Sequence, residues 1–296
     1  MTPATLADLV TEEGFARFRA HPGFREAVEI AAAQSVLHFQ HLDATHQWIT
    51  KDIGRATICV VALSLHMVGE LSVQSLTAAC VDSGVSSAGR VQQLVRRCQD
   101  VGAMTVEAGA GMWTRRPMRV GAGLIRLFRE RALIDLKAML RLAPELSAAV
   151  EAVSSDDGFV TYSLAVSMLA SLRRDMFNFR STPPIAFFLD REAGMLVLFD
   201  LLGAQDPMRR RLLEAAPISR YALSRRYGVS RAHINKLLAE SGHIESVEQS
   251  QVAFKPALSR ALERHFAAVF LLNHCAAQAV LSGWRFGQTD GGGEAG

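Results

Sequence analysis

The stretch Ile218–Ile244, ISRYALSRRYGVSRAHINKLLAESGHI, constrains the fold of this chain more than any other segment. Leu223 and Tyr227 give a short helix its apolar face, and Gly228 enters left-handed backbone without a Cβ clash. Val229 is placed to plug a core, and Ser230 is a good N-cap. Behind it Ile234, Leu237 and Leu238 recur at helical spacing. That stripe turns Arg231, Ala232, Asn235 and Lys236 outward. Gly242 stops the second helix, Ile244 and Val247 against Val252 and Phe254 read as two short strands around a polar tip, and Pro256 opens a new helix. Helix, glycine turn, helix and hairpin in this order describe a helix-turn-helix followed by a wing.

The pattern occurs again in Leu71–Val120, about 140 residues earlier. Gly84, Val85 and Ser86 repeat the glycine-valine-serine turn, Val91, Leu94 and Val95 form the buried stripe, and Gly102 is the stop. Met104 and Val106 are expected in one strand, Ala108–Gly111 at the tip and Trp113–Arg116 in the return strand, with Pro117 starting the next helix as Pro256 does. Lead-in segments correspond as well, Lys51–Met67 before the first motif and Asp190–Leu202 before the second. The chain therefore reads as an internal duplication: a mainly α protein with two winged helix-turn-helix units and long packing helices. Residues 1–150 form the first half, 151–286 the second and 287–296 a flexible tail.

Elsewhere the periodicity is helical. A helix begins near Gly23 and carries Val28, Ala32, Val36 and Phe39; another spans Val120–Leu142 and ends before Pro144. Glu145–Val153 makes a short helix, the acidic Ser154–Gly158 reads as the turn between the halves, and Phe159–Phe179 is a third apolar-rich helix. Thr182–Pro184 breaks the chain, Ala257–Leu281 is the long final helix, and Gly287–Gly296 has the composition of disorder.

Composition excludes several classes. No apolar run approaches the length of a bilayer span and no basic-then-apolar segment follows Met1, so a cytoplasmic, nucleoid-associated protein is expected. Cys59, Cys80, Cys98 and Cys275 lack the paired spacing of a disulfide framework or a zinc site, and read as buried thiols. The net charge of +3 is too small to argue for a polyanionic partner; its distribution is more telling. Arg209, Arg210, Arg211, Arg220, Arg225, Arg226, Arg231 and Lys236 crowd the second motif, and Arg90, Arg96, Arg97, Arg115, Arg116 and Arg119 surround the first.

On these residues the chain resembles the MarR-type winged-helix transcriptional regulators, over about residues 50–140 and 188–282. In that family a winged helix sits between flanking helices, and two subunits pair to place two recognition helices in successive major grooves. The resemblance implies that dimer written as one polypeptide, a monomeric pseudo-dimer binding double-stranded DNA and acting as a repressor. Ser230–Glu240 and Ser86–Arg97 would be the groove-entering helices, and Arg115 and Arg116 would face phosphate or the minor groove. The first motif departs from the pattern by an extra residue before its stripe and by Gly89 near the start of its second helix. Arg231 has the geometry to give two hydrogen bonds to guanine and Asn235 to pair bidentately with adenine, each worth roughly 1–3 kcal/mol of discrimination. Arg90 and Gln93 are read as their counterparts in the first half. The DNA-contacting set is thus Ser86, Ser87, Arg90, Gln93, Arg97, Arg115, Arg116, Arg220, Ser230, Arg231, Ala232, Asn235 and Lys236. Because the two helices differ in sequence, an asymmetric operator follows.

The same residues admit other readings. A winged helix can instead bind protein, such as RNA polymerase or a partner regulator; the polar face of Ser230–Glu240 favours DNA. His38, His41, Asp43 and His46 have spacing that suits a metal, but an exposed helix face or histidines hydrogen-bonded between halves explain them without an ion. Cys80 and Cys98 flank the first turn, where oxidation could act as a switch, although helix-packing cysteines are commoner. Phe and Met residues around Met168–Phe188 read as core before effector pocket. No phosphate-binding glycine loop, zinc-protease helix or nucleophile elbow occurs, so neither enzymatic activity, catalytic residues, a metal nor a cofactor is expected.

Overall fold

Serine and aspartate caps start several of the helices, and apolar stripes decide which face each one buries. The computed structural model describes residues 10–177, 182–206, 208–248 and 250–284 and is mainly helical. Helix α1 (Glu12–Ala20) is capped by Thr11, and α2 (Phe24–His41) follows it. Asp43 caps α3 (Ala44–Thr50) and Asp52 caps α4 (Ile53–Met67). A reciprocal Ser72–Ser75 capping box starts α5 (Val73–Asp82), and α6 is Ala88–Asp100. Strands β1 (Met104–Val106) and β2 (Met118–Val120) pair antiparallel, Thr105 opposite Arg119, with a 3-10 turn at Trp113–Arg115 between them.

The first hairpin therefore returns later than the sequence places it. Met118 and Val120 are buried with Arg119 exposed between them, the period-two pattern of a half-buried strand, which Trp113–Arg116 lacks. Pro117 does not begin the next helix. Its carbonyl accepts the Glu107 N–H at 2.9 Å, and it bridges Ser72, so α7 starts only at Ala122 and runs to Met139.

After a 3-10 turn at Pro144–Leu146 come α8 (Ser147–Ser154), α9 (Asp156–Leu172) and α10 (Arg174–Phe177). The expected turn Ser154–Gly158 shrinks to one residue, because Ser155 caps α9 and Asp156 and Asp157 fall in its first turn, where acids are stabilised by the positive end of the helix dipole. The single helix expected over Phe159–Phe179 is instead broken at Arg173, whose backbone leaves the helical region and ends α9 at Leu172, so that α10 is a separate short helix; Phe179 itself lies outside the described residues, as does Gly287–Gly296. Pro183 and Pro184 do not break the chain but open α11 (Pro183–Leu189), filling positions where a missing N–H costs nothing. The second lead-in, expected as one helix over Asp190–Leu202, begins instead at α12 (Gly194–Ala204), because Ala193 takes left-handed backbone at φ 58°. Strand β3 (Ala215–Pro217), α13 (Arg220–Tyr227), α14 (Arg231–Glu240), β4 (Ile244–Val247), β5 (Gln251–Phe254) and α15 (Pro256–Leu281) complete the order. The sheet runs β3-β5-β4, all antiparallel. In the earlier segment the Met118 N–H donating to the Leu71 carbonyl at 2.8 Å and the Ser72–Pro117 bridge occupy the place that β3 takes in the later one.

By packing, the chain forms two compact units that cut across the sequence halves. One comprises Met1–Val28, Ala132–Asn178 and Arg264–Gly296. Its described core includes Phe15, Leu136, Phe159, Phe266 and Phe270, with a buried Tyr162 hydroxyl donating to Asn273. The other comprises Glu29–Arg131 and Phe179–Glu263, and holds both α5–α6 and α13–α14. Its core includes Ile49, Ile58, Leu76, Met104, Leu124, Phe188, Tyr227 and Phe254.

Two glycines should respond oppositely to alanine. A Cβ on Gly89 would meet nothing within 4 Å, so Gly89→Ala in α6 should stabilise by about 0.5–1 kcal/mol. A Cβ on Gly194 would lie 2.1 Å from the Phe188 carbonyl oxygen, so Gly194→Ala must displace the α11–α12 junction and destabilise the fold. Urea unfolding of both variants measures the two signs; equal effects would refute this account of the junction.

Candidate nucleic-acid interface

In the second segment Ser219 caps α13 by accepting the Ala222 N–H, and Gly228, at φ 59°, closes it. Ser230 then caps α14, accepting the His233 N–H at 3.0 Å. Ile234, Leu237 and Leu238 are buried, whereas Arg231, Ala232, Asn235 and Lys236 are exposed. The α13 side is anchored by Tyr227, whose ring tilts against Phe39 at 5.4 Å and whose hydroxyl donates to the Leu196 carbonyl at 3.1 Å and to Asp200 at 3.0 Å. Burial and the negative charge of Asp200 push this phenol up, so it remains a neutral donor.

The first segment repeats the geometry with different chemistry. Gly84 is left-handed at φ 69°, and Val91, Leu94, Val95 and Cys98 form the buried stripe of α6. Its N-cap is Ser87, which makes no side-chain capping bond; Ser86 belongs to the turn and is half-buried. The extra residue is thus absorbed in the turn. Counted from the caps, Arg90 matches His233 and Gln93 matches Lys236, so the expected pairing is corrected: the equivalents of Arg231 and Asn235 are Ala88 and Gln92, two positions before Arg90 and one before Gln93. Gln93, Arg96 and Arg97 are exposed, although the Arg97 guanidinium lies 4.9 Å from the Trp48 ring centre.

Many of the clustered arginines have acidic partners. Arg211 lies 3.7 Å from Glu214, Arg226 pairs with Asp200, Arg119 pairs with Glu107 at 2.7 Å and Arg90 with Asp52 at 3.0 Å. Among the hairpin arginines, Arg115 donates to Gln74 at 3.1 Å, and Arg116 turns back to the Gly111 carbonyl at 3.1 Å, closing its own loop. Arg220 is half-buried at the start of α13. The second hairpin exposes Glu245 and Glu248, a sign that repels phosphate.

Two features escape a reading by periodicity. Tyr221, 61% exposed on α13, lies 5.9 Å by its ring centre from the Arg231 guanidinium, beside the outward row of α14. The second is an ionic joint between the turns that precede α4 and α12. Glu192 accepts from Arg55 at 2.8 Å and lies 3.4 Å from Lys51, while the Ala193 N–H donates to the Lys51 carbonyl at 2.6 Å. Burial alone would raise the Glu192 carboxyl, but the hydrogen bonds and charges of Arg55 and Lys51 outweigh it and hold the group below the usual carboxylate range. Its contribution to stability is therefore present above that range and lost as pH falls through the lowered value. The only hint in the sequence is the repeated acid-X-glycine of Asp52–Gly54 and Glu192–Gly194.

The histidine cluster is divided among local partners. His46 Nδ1 lies 2.6 Å from Asp43, His41 Nδ1 bonds the Leu37 carbonyl, and His38 lies 3.7 Å from Glu130. No group of three or more His, Cys, Asp or Glu among the described residues is arranged to hold a metal. All four cysteines are buried free thiols; burial pushes Cys80 up to about 11 and Cys275 to about 12, which keeps them protonated and unreactive. No described helix is long and apolar enough to cross a membrane. Compared with protein-family models, curated proteins and solved structures, the chain finds no match in any of the three.

The buried and exposed faces of α14 should separate cleanly on mutation. Leu237, 1% exposed, should cost roughly 2–5 kcal/mol as Leu237→Ala, whereas Asn235→Ala should stay within about 0.5 kcal/mol of the parent. Thermal melts of both variants report the difference; equal losses would mean that the outward face is packed.

Proposed function

We propose that the chain is a sequence-specific double-stranded DNA-binding regulator of transcription acting as a repressor, built from two winged-helix units that arose by internal duplication. One observation carries the reading: α14 exposes Arg231, Asn235 and Lys236 on the side opposite its buried stripe. Arginine and asparagine present the donor and acceptor geometry of guanine and adenine edges in the major groove, and lysine suits phosphate. The repeated element order supports the duplication: helix, strand or bridge, helix, turn, helix, hairpin. It supports a likeness to the MarR type as well. An exposed Arg115 adds a phosphate contact in the first half, and Tyr221 adds a hydroxyl beside Arg231 in the second. Residues of the two halves differ at every outward position named, so the preferred site is asymmetric.

A second reading has its own support. Glu245 and Glu248 make the second hairpin acidic, and Met112 is 59% exposed near the tip of the first, features that suit contact with RNA polymerase or a partner regulator rather than with phosphate.

The test starts from an operator selected out of random duplexes. Arg231→Ala and Asn235→Ala should each weaken operator binding by about 1–3 kcal/mol and binding to a scrambled duplex much less, with melting unchanged. Unchanged specificity in both folded variants would remove α14 from base reading and favour the protein-contact alternative. Arg115→Ala should weaken all duplexes alike and reduce the slope of log affinity against log salt by about 1. A slope equal to that of the parent would place Arg115 away from phosphate.

A further inference from the structure

The ionic joint lies between the two candidate reading helices, and its links can be followed from one to the other. Arg90, in the first turn of α6, donates through Nη2 to both oxygens of Asp52, at 3.2 and 3.0 Å. Asp52 lies 3.6 Å from Arg55, which donates to Glu192 at 2.8 Å. The backbone carbonyl of Glu192 is 2.9 Å from Nε2 of His233, in the first turn of α14. Arg90 and His233 hold the same position counted from their N-caps, so the relay begins and ends at equivalent points of the two helices. Space is kept for it: a Cβ on Gly54 would come within 3.2 Å of the Arg90 guanidinium and 3.1 Å of Asp52.

The two turns are also tied through backbone, by the Ala193 N–H on the Lys51 carbonyl. One hydrogen bond is a pivot, about which two bodies can still rotate. Resisting rotation takes further links at a distance from the pivot, and Glu192 supplies three: its carboxylate to Arg55, the same carboxylate near Lys51, and its carbonyl to His233. The next residue, Ala193, is left-handed, a conformation that persists in a non-glycine residue only where its surroundings impose it. Arg55 is itself steadied by Trp48, whose ring centre is 4.5 Å from its guanidinium.

We infer that Glu192 is a positioning residue that holds α6 and α14 at a fixed separation, through the relay Arg90–Asp52–Arg55–Glu192–His233. This deepens the DNA-binding reading and rests on it for one consequence: the joint sets the half-site spacing that the protein accepts.

The separation is measured without DNA by pulsed electron paramagnetic resonance between nitroxides on Asp100→Cys in α6 and Ala239→Cys in α14, both exposed positions. The four native cysteines are buried, which labelling stoichiometry of the parent verifies. The parent should give a narrow distance distribution, and Glu192→Gln, which keeps shape but loses the charge, a broader one. Arg55→Gln cuts the relay from the other side and should broaden it likewise, which covers the case in which one variant does not fold. A distribution of unchanged width in folded variants overturns the proposal. In the second arm, binding is measured to operators whose half-sites are moved by one and two base pairs. The preference of the parent for its best spacing should shrink by about two- to fivefold in Glu192→Gln, the scale of a partly exposed ion pair. Broadened distances with an unaltered spacing preference would overturn its link to spacing. A parent that cannot distinguish its selected operator from a scrambled duplex, with distances broadening as expected, would refute the DNA reading and leave the positioning role of Glu192 standing.

Discussion

Burial of the apolar stripe on each second helix is the constraint from which the other features of the candidate interface follow. Ile234, Leu237 and Leu238 are each at most 2% exposed, and burying such side chains contributes roughly 1.5–3 kcal/mol apiece. A helix seated by three of them cannot rotate without losing most of that energy, so the direction of Arg231, Asn235 and Lys236 is fixed by residues on the opposite side. Val91, Leu94, Val95 and Cys98 impose the same constraint on α6. The left-handed glycines, the serine caps and the antiparallel hairpins are the ways in which the backbone accommodates these two seats.

Local chemistry made the later segment legible in sequence. Gly228, Ser230 and Pro256 each act within a few residues, and the structure uses them as expected, at a turn, an N-cap and a helix start. The earlier segment was legible in its stripe and less so in its ends, because an extra turn residue displaced the cap from Ser86 to Ser87, and because the hairpin returned through Met118–Val120 after a 3-10 turn. Contacts between distant residues left no periodic trace. Arg55 and Glu192 are 137 positions apart, and neither stands out as a member of a motif. The same holds for Tyr221 with Arg231, which meet only because the turn at Gly228 folds α13 against α14.

The electrostatics of the interface are more selective than the density of arginines suggests. Glu107, Asp200 and Glu214 accept charge from Arg119, Arg226 and Arg211, so several of the clustered cations serve the fold as much as the surface. The remaining asymmetry is between the hairpins, basic at Arg115 in one and acidic at Glu245 and Glu248 in the other. A polyanion laid across both would be drawn to the first and repelled by the second, so the two segments would share the work of binding unequally.

The three tyrosines of the chain occupy three different environments. Tyr162 is buried and bonded to Asn273, and Tyr227 is buried between Leu196 and Asp200; Tyr221 stands 61% exposed next to Arg231. A phenol-modifying reagent such as tetranitromethane acts by access, and in the folded protein access distinguishes one ring from the other two. The chain therefore carries a built-in chemical footprint at a single residue of its candidate interface: nitration of Tyr221 would register whatever covers α13 and α14, with no engineered probe and no knowledge of what the covering molecule is.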